Sequence, residues 1–411
     1  MSLIVQKYGG TSVATPERIN AVADRIAATR HHGHDLLVVV SAMGRTTDEL
    51  VILAQAVTPD PPAREMDMLL TAGERIAMSL TAMALHARGI GAISLTGSQA
   101  GILTDSSHGA ARITEIRAER VKEGLATGKV VIVAGFQGVD PTSREITTLG
   151  RGGSDATAAA LAAALGADVC EIYTDVDGIF TADPRIVTDA RKLDEISFDE
   201  MLELSASGAG VLMTRSVEFG RRYNFPIHVR SSFHDRPGTW VKEITMEQAI
   251  ISGIAHDRSE SKVTVRGVPD RPGVAAALFE PLAERSVNVD MIVQNVGVDG
   301  STDISFTVPR ESARHAAEVA GKIADEMGAA GVDLDENVAK VSLVGAGMKA
   351  HPGVAAGVFR ALAEAGINIE MISTSTIRIS CVVRGDRADD AVRALHAAFS
   401  PPMIIEEVGG A

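Results

Sequence analysis

The sequence predicts an α/β protein with a three-layer α/β/α sandwich around a mainly parallel sheet, followed by two small βαββαβ modules. In residues 1–230, short β-branched runs alternate with helical segments. Each run ends in glycine or small polar residues, as in parallel strands that lead into functional loops. The C-terminal part then contains an internal repeat. These three observations together predict the fold class.

Four runs in the first part predict strands: SLIVQKYGG, DLLVVVSAMG, KVVIVAGFQG and DVCEIYTDVDG. Helices are expected from 16 to about 30, from 63 to about 88 and from 154 to about 165. Thr15 followed by Pro16 is a cap residue before a first-turn proline, so it marks the start of the first helix.

The repeat consists of PGVAAALFEPLAERSVNVDMI (272–292) and PGVAAGVFRALAEAGINIEMI (352–372), which match at 12 of 21 positions with an offset of 80. Strand-like runs flank each copy, and this order indicates two ferredoxin-like modules. The shared apolar positions Val274, Leu278, Phe279 and Leu282 are expected to be core residues. The predicted domains are 1–232, a linker at 233–250, and modules at 251–335 and 336–411.

Composition limits the function classes. The chain has 411 residues and a net charge of −14, which disfavours nucleic acid or an anionic membrane as a partner. No secretory signal and no span of about 20 apolar residues are visible, so a soluble cytoplasmic protein is expected. Cys170 and Cys381 lie in apolar runs and are expected to be buried free thiols.

The stretch TTLGRGGSDATAAALAAALGA (147–167) combines Gly150, Gly152 and Gly153 with a following helix. Glycine amides at a helix start can hold an anion, and Ser154 or Asp155 can cap the helix. A tight structural turn before an alanine-rich helix explains the same residues. The P-loop and dinucleotide-binding fingerprints are both absent.

Three other segments favour phosphate chemistry. KYGGTSV (7–13) places Lys7 at a strand end beside glycine amides, which suits the charge of a transferring phosphoryl group. VVSAMGRTTDE places Ser41 and Thr47 at the end of the next strand. YTDVDGIFTADPR (173–185) brings carboxylates to the end of a further strand, although a plain polar turn explains them as well.

Five motifs in order, KYGGTSV, TAGERI, FQG, TTLGRGGSDATA and YTDVDGIFTADPR, resemble those of the aspartokinases in the amino-acid-kinase superfamily. The two C-terminal modules resemble that family's ACT regulatory modules. The resemblance covers essentially the whole chain. It implies an ATP-dependent kinase of the L-aspartate β-carboxylate that opens lysine, threonine and methionine biosynthesis.

The resemblance also implies site residues. Lys7 and Asp155 correspond to catalytic positions. The implied ATP site is Lys7, Tyr8, Gly9, Gly10, Ser41, Ser154, Thr174, Asp175, Phe180, Asp183, Arg185 and Gly210. The implied aspartate site is Thr47, Glu74, Arg151, Gly152, Gly153 and Ser154. The implied effector site is Asp270, Asn288, Gln294, Val354, Ala355, Asn368, Ile369, Thr374 and Ser375.

The chemistry expected of these residues follows from their types. Arg151 offers a planar fork for the substrate α-carboxylate. Glu74 can receive the substrate ammonium or orient Lys7. Magnesium is expected to arrive with ATP, held mainly by phosphates, and no resident protein-bound metal is expected.

Two positions depart from the family pattern. Gly210 stands where the family has a lysine that helps to bind nucleotide phosphate, and Thr376 replaces a glutamate in ISTSTIRIS. The first departure keeps an alternative open, a catalytically weak amino-acid-sensing subunit. A kinase for another amino acid is a further alternative.

The resemblance implies partners as well. Lysine and/or threonine are the expected inhibitors, and the assembly is expected to be a homo-oligomer or an α₂β₂ complex. In the second case a shorter regulatory subunit would start internally, and Met246 is a candidate start.

Overall fold

The computed structural model describes residues 2–244, 250–295, 300–351 and 353–400. The chain forms two compact units. The first contains residues 1–179, 192–205 and 210–245, and the second contains residues 180–191, 206–209 and 246–411. Met246, the candidate internal start, lies outside the described residues.

The first unit contains seven helices and twelve strands among the described residues. The helices are α1 (Pro16–His31), α2 (Thr46–Val57), α3 (Ala63–His86), α4 (Glu119–Ala126), α5 (Gly153–Leu165), α6 (Phe198–Ala206) and α7 (Thr214–Tyr223). The strands are β1 (Leu3–Tyr8), β2 (Asp35–Val40), β3 (Ala92–Leu95), β4 (Ile102–Thr104), β5 (Ile113–Ile116), β6 (Val130–Ala134), β7 (Gln137–Val139), β8 (Ile146–Thr148), β9 (Val169–Thr174), β10 (Glu195–Ser197), β11 (Ile227–Ser231) and β12 (Thr239–Lys242).

Eight of these strands form one sheet in the order β10-β12-β11-β9-β1-β2-β6-β3. Every pairing in it is parallel except that of β11 with β12. Central strands such as DLLVVV and VVIVA are buried on both faces, as β-branched runs in a covered parallel sheet should be. The other four strands form a second sheet in the order β5-β4-β7-β8. The predicted fold class is confirmed.

The predicted helices correspond to α1, α3 and α5. Thr15 caps α1 as expected, because its hydroxyl accepts a hydrogen bond from the amide of Arg18. The expected cap of α5 is wrong. Gly152 occupies that position in a left-handed conformation (φ +68°), and no side chain caps the helix.

The segment expected to be a linker also contains ordered structure. Residues 239–242 form β12, which pairs with β10 and β11 in the large sheet. The Trp240 ring stacks on His228 of β11 with centroids 3.9 Å apart. The turn-forming residues before β12 predicted a boundary, but the strand that follows belongs to the first unit.

The second unit contains two four-stranded sheets, each covered by helices. Its strands are β13 (Gly253–Asp257), β14 (Glu260–Pro269), β15 (Ile292–Gln294), β16 (Ser301–Pro309), β17 (Gly331–Asp335), β18 (Val338–Val344), β19 (Met371–Thr374) and β20 (Arg378–Arg384). Its helices are α8 (Val274–Glu284), α9 (Ala313–Met327), α10 (Val354–Glu364) and α11 (Ala388–Phe399).

The two sheets have the orders β15-β16-β14-β17 and β13-β18-β20-β19. The first module is therefore a continuous βαββαβ unit. The second takes its edge strand from β13, which precedes the first module in the chain and pairs antiparallel with β18. β13 thus fills the position that β17 fills beside β14. The predicted core residues Val274, Leu278 and Leu282 are buried, and Phe279 packs against them.

Residues 180–191 were expected within the first domain, yet they pack in the second unit. Ala182 and Val187 are buried in the same hydrophobic cluster as Leu362 and Val392 of the second module. The hydroxyl of Thr181 lies 3.0 Å from Nε2 of His396. This stretch directly follows the loop after β9, so one continuous chain runs from the first unit into the second.

Two smaller expectations concern cysteines and membrane spans. Cys170 and Cys381 are buried free thiols, as predicted. Among the described residues, α3 alone is long and apolar enough to cross a membrane by length and composition. It carries the buried carboxylates of Asp67 and Glu74, which is typical of a helix that lines a site in a folded domain.

Candidate active site

A cleft of about 810 Å³ opens at the carboxyl ends of the central strands of the first unit. Ligands bind at this edge in open α/β sheets. The side walls come from the loops after β1, β2 and β8, from α2 and α3, and from the start of α5. Ten residues predicted from the sequence line the cleft: Lys7, Gly10, Ser41, Thr47, Glu74, Arg151, Gly152, Gly153, Ser154 and Asp155.

Lys7 and Asp155 form an ion pair at the base of the cleft, with Nζ 2.5 Å from Oδ1. β1 provides the lysine one residue before its end, and the first turn of α5 provides the aspartate. Both side chains are about 90% buried. The lysine is therefore oriented by Asp155, and among the described residues no ion pair joins it to Glu74.

The turn before α5 depends on its glycines. Gly150 and Gly152 adopt positive φ angles of +75° and +68°, which favour glycine. A Cβ on Gly152 would lie 2.0 Å from the Met213 side chain. A Cβ on Gly153 would lie 2.8 Å from the Phe136 ring. The turn therefore has space for backbone only, and it presents Arg151 as an exposed side chain at the cleft.

Glu74 is buried on α3 and faces the cleft. Its Oε1 accepts a hydrogen bond from the amide of Ala42 (3.1 Å), while Oε2 has no partner in the described part of the chain. Burial raises the pKa of this carboxyl from 4.5 to about 7, because desolvation penalises the charged form. An unpaired buried carboxylate oxygen at a cleft can accept a hydrogen bond from a substrate ammonium.

The loops after β1 and β2 approach each other closely. The amide of Ser41 donates to the carbonyl of Tyr8, and that of Gly44 donates to Gly10. A Cβ on Gly10 would lie 2.9 Å from the carbonyl oxygen of Ala42, so only glycine fits there. Thr47 lies in the first turn of α2 rather than at the strand end, and it still lines the cleft.

Apart from Gly210, which is described below, seven residues assigned to ATP from the resemblance do not line this cleft, and Tyr8 is one of them. Its ring is fully buried and stacks on Tyr173 with centroids 4.7 Å apart, and its hydroxyl donates to Oε1 of Gln6. The side chain is therefore part of the core. The others are Gly9, Thr174, Asp175, Phe180, Asp183 and Arg185. Gly9 follows β1, and Thr174 ends β9, the strand that pairs parallel with β1.

Phe180, Asp183 and Arg185 belong to the second unit. The Arg185 guanidinium folds onto the Asp183 carboxylate with an N–O distance of 2.6 Å and lowers the pKa of that carboxyl through hydrogen bonding.

Gly210, an eighth ATP assignment, is exposed in the loop between α6 and α7 and does not line the cleft. An added Cβ there has no neighbour within 4 Å. Two arginines of α7, the helix that follows this loop, have partners of their own. Arg221 is paired with Asp199 at 3.1 Å. Arg215 donates to the carbonyls of Ala111 and Leu149 at 3.4 and 3.5 Å.

The described residues contain no group of three or more His, Cys, Asp or Glu side chains that would enclose a metal. Magnesium bound with nucleotide needs only one or two protein carboxylates, since phosphates and water supply the rest. Asp175, exposed after β9, and Asp155 are carboxylates of that kind. The residues present therefore fit a metal that enters with the nucleotide.

Two pairs of predicted effector residues lie at corresponding places in the two modules, Asn288 with Asn368 and Gln294 with Thr374. Asp270 follows β14, and its amide donates to Gly300. Val354 and Ala355 begin α10. Asn288 and Asn368 are exposed before β15 and β19, where Ile369 is half-buried. Gln294 and Thr374 end those strands, and Ser375 follows in a turn.

Sequence reasoning missed several residues of the cleft. Asp67, Gly109 and Thr148 line it together with Phe136. Phe136 has φ +70°, an uncommon conformation for a bulky residue that tends to occur at functional sites. Its motif, FQG, was noticed in the sequence. Asp67 could have been found from its spacing, since it stands seven residues before Glu74 on the same helical face.

Comparisons with known proteins agree with this geometry. The amino acid kinase family profile matches residues 2–231, and an ACT domain profile matches residues 263–322 and 341–399. The chain is 59% identical over 405 residues to an aspartokinase of Mycolicibacterium smegmatis, covering 97% of this chain and 96% of the relative. E. coli aspartokinase III in complex with aspartate and ADP superposes with a TM-score of 0.83 at 27% identity, covering 97% and 100% of the two chains.

A second E. coli aspartokinase III structure, in complex with lysine and aspartate, has a TM-score of 0.73 at 28% identity and covers 96% of this chain and 99% of that one. The chain thus belongs to the amino acid kinase family and carries two ACT domains. Within that family it belongs to the aspartokinases, the aspartate kinases.

Proposed function

We propose that this chain transfers the γ-phosphoryl group of ATP to the β-carboxylate of L-aspartate, giving 4-phospho-L-aspartate and ADP. The observation that carries the proposal is the cleft itself. It brings together the Lys7–Asp155 ion pair, the Arg151 turn and the buried Glu74 carboxylate. The Lys7–Asp155 pair suits a phosphoryl group, Arg151 suits a carboxylate, and Glu74 suits an ammonium.

The amino acid would be held by its two charged groups. Arg151 can bind the α-carboxylate through two parallel N–H···O bonds. The free Oε2 of Glu74 can accept from the ammonium, and this contact favours the ionised form of the glutamate. The β-carboxylate then points towards Lys7 and the glycine amides of the α5 turn.

In the transfer, a β-carboxylate oxygen attacks the γ-phosphorus in line with the leaving oxygen. The bond between that phosphorus and the oxygen bridging it to the β-phosphate breaks, and the negative charge leaves on ADP. Because the nucleophile is already ionised at neutral pH, the step needs no general base. Catalysis rests on positioning and on neutralisation of charge.

Lys7 provides a fixed positive charge for the transferring group. Oδ1 of Asp155 lies 2.5 Å from Nζ of Lys7 and holds the ammonium in place. The ammonium therefore does not move away to pair with the substrate carboxylate. The amides at the start of α5 add the positive end of the helix dipole. A magnesium ion bound with ATP would neutralise phosphate charge, and Asp155 and Asp175 are the carboxylates suited to hold it.

Trapping the acyl phosphate with hydroxylamine tests the proposal. Purified protein with MgATP and L-aspartate is expected to form aspartyl hydroxamate, and L-glutamate and N-acetyl-L-glutamate are the matched substrates for the rival amino-acid kinases. Hydroxamate with either rival, and none with aspartate, would overturn the assignment.

The alternative of a weakly catalytic amino-acid sensor is motivated by Gly210. A charged hydrogen bond to phosphate contributes about 1.5–3 kcal/mol, so its loss would raise the ATP KM. Because a side chain has open space at this position, Gly210→Lys is expected to fold and to lower the ATP KM, with Gly210→Gln as the uncharged control. A dead wild type that Gly210→Lys revives would favour the sensor.

We also propose a place at the start of lysine, threonine and methionine biosynthesis, with lysine and/or threonine as inhibitors acting through the ACT modules. The aspartokinase III that binds lysine and aspartate supports an amino acid effector. An effector acts only through its different affinities for two states of the protein. The assembly would be a homo-oligomer or an α₂β₂ complex with a subunit starting at Met246, and a co-purifying short fragment would support the latter.

Thr376 is exposed in the turn after β19, where the amide of Ser375 donates to the carbonyl of Arg378. Replacement of the family glutamate there is proposed to weaken inhibition. Dose–response curves with lysine and threonine for the wild type and Thr376→Glu test this, and ordinary strong inhibition of the wild type would refute it.

A further inference from the structure

Asp67 is an almost completely buried carboxylate at the edge of the cleft, outside every motif discussed above. It lies near the start of α3 and is 1% exposed. A buried carboxylate costs free energy unless hydrogen bonds satisfy it. Asp67 has four such contacts, and all of them reach parts of the chain that surround the Arg151 turn.

The first three contacts reach the loop between β4 and β5. Nδ1 of His108 lies 2.6 Å from Oδ2, and the amide of Gly109 donates to both oxygens at 3.1 and 3.2 Å. Gly109 has φ +77°, so the loop turns sharply at this point. The carboxylate therefore fixes the loop at a glycine, whose backbone could otherwise adopt many conformations.

The fourth contact reaches β8. The hydroxyl of Thr148 donates to Oδ1 at 2.5 Å. Thr148 is the last residue of β8 and stands three residues before Arg151. One carboxylate thus joins α3, the loop at 107–110 and the strand that leads into the substrate turn.

The loop and the turn also contact each other directly. A Cβ placed on Gly150 would lie 3.1 Å from the carbonyl oxygen of Gly109, and the amide of Ala111 donates to the carbonyl of Thr148. The turn at 150–153 therefore packs against the loop that Asp67 holds. A shift in the loop would move Arg151 while leaving Lys7 on β1 in place.

We propose that Asp67 is a positioning residue for the amino-acid half of the cleft. Through His108, Gly109 and Thr148 it fixes the position of the Arg151 turn in the cleft. It therefore determines aspartate affinity rather than nucleotide affinity. The proposal rests on the function proposed above, because it takes Arg151 to bind the substrate α-carboxylate.

Asp67→Asn keeps the size of the side chain but turns one acceptor into a donor that faces the Gly109 amide. Steady-state kinetics on the full-length chain are expected to show an aspartate KM raised about tenfold, with the ATP KM within about twofold of wild type. A purely structural role would change both constants alike or only lower the yield of folded protein.

Asp140→Asn is the matched control. Asp140 accepts from the amide of Thr142 and the hydroxyl of Ser143 in the β7–β8 turn, and it does not line the cleft. Its variant is expected to leave both KM values unchanged. If Asp67→Asn does not fold, Thr148→Val removes one of the four hydrogen bonds and is expected to raise the aspartate KM about threefold.

The outcomes separate the two proposals. A wild type that forms no aspartyl hydroxamate refutes the proposed function. An active wild type whose Asp67→Asn and Thr148→Val variants match Asp140→Asn, or change both KM values equally, overturns the positioning role alone. A selective rise in the aspartate KM for either variant supports it.

Discussion

Glu74 lowers the stability of the folded protein and is at the same time suited to bind the substrate. Burial on α3 raises the pKa of its carboxyl to about 7, and one of its oxygens has no partner among the described residues. A protein gains nothing in stability from an unpaired buried carboxylate. The unpaired carboxylate is explained if it binds a cation, and the substrate ammonium is that cation.

The pH dependence of stability tests this interpretation. The pKa of Glu74 in the folded protein, about 7, lies above the ordinary value of 4.5. Between pH 4.5 and pH 7 the folded protein therefore binds more protons than the unfolded one. The stability that this contributes is lost as the pH rises through about 7. Glu74→Gln, which is neutral throughout, is expected to be more stable than wild type by about 3 kcal/mol at pH 8 and nearly as stable as wild type at pH 4.5.

Chemical denaturation without ligands measures the difference at both pH values. A companion measurement is the aspartate KM of the wild type, which is expected to rise as the pH falls below 7. A Glu74→Gln variant that is less stable than wild type at pH 8 would contradict the account of the buried charge.

At the scale of elements, the turn before α5 illustrates what a pattern predicts and what it leaves open. Three glycines before an alanine-rich run predicted the helix and its approximate start, because backbone freedom and helix propensity are local properties. The cap was wrong, since Asp155 pairs with Lys7 instead of the helix amides. That choice depends on β1, which is distant in sequence.

Gly152→Ala tests the turn directly. A methyl group there meets both the left-handed backbone conformation and the Met213 side chain 2.0 Å away. The variant is expected to lose more than about tenfold in kcat/KM, because the turn carries Arg151 and begins α5. The Gly152→Ala, Met213→Ala double variant relieves the clash but not the backbone strain of about 1–2 kcal/mol, so only partial recovery is expected.

Full activity of the single variant would refute this reading of the turn. Gly166→Ala is a useful control, since Gly166 ends α5 with φ +62° and has no neighbour within 4 Å of an added Cβ. It carries similar backbone strain without the clash and lies away from the cleft.

Long-range pairing marks the limit of sequence reasoning. The βαββαβ repeats were predicted from local periodicity and from the match between the copies. The use of β13 to complete the second sheet was not predicted, because any short strand with β-branched residues can pair with β18. The contacts of Asp67 were not predicted for a similar reason, because they join segments that are distant in the chain.

At the scale of the whole molecule, each unit has its own core, and the second unit also has a buried ionic link between its two sheets. Lys340 of β18 is 2% exposed and pairs with Glu260 of β14 at 2.6 Å and with Asp290. The neighbouring carboxylates raise the pKa of Lys340 despite its burial. A second ion pair joins the same two modules with the charges exchanged: Lys262 of β14 pairs with Glu370, which directly precedes β19.

Removal of one partner from such a cluster should cost more than removal of an exposed lysine. Lys340→Met is expected to destabilise the second unit by about 3 kcal/mol, because it leaves two carboxylates without their counter-ion. Lys322→Met, at an exposed position on α9, is the matched control and should change stability by less than about 0.5 kcal/mol. Equal unfolding midpoints for the two variants would show that the cluster does not stabilise the unit.

Different residues of one cleft bind the amino acid and the nucleotide, and Arg151 is assigned to the amino acid. The most direct test is the pair of KM values for Arg151→Ala, measured by hydroxamate trapping beside Arg120→Ala, an exposed arginine of α4 that does not line the cleft. We expect an aspartate KM raised more than about tenfold, an ATP KM within about twofold of wild type, and no change for the control. Equal rises in both KM values for Arg151→Ala would contradict it.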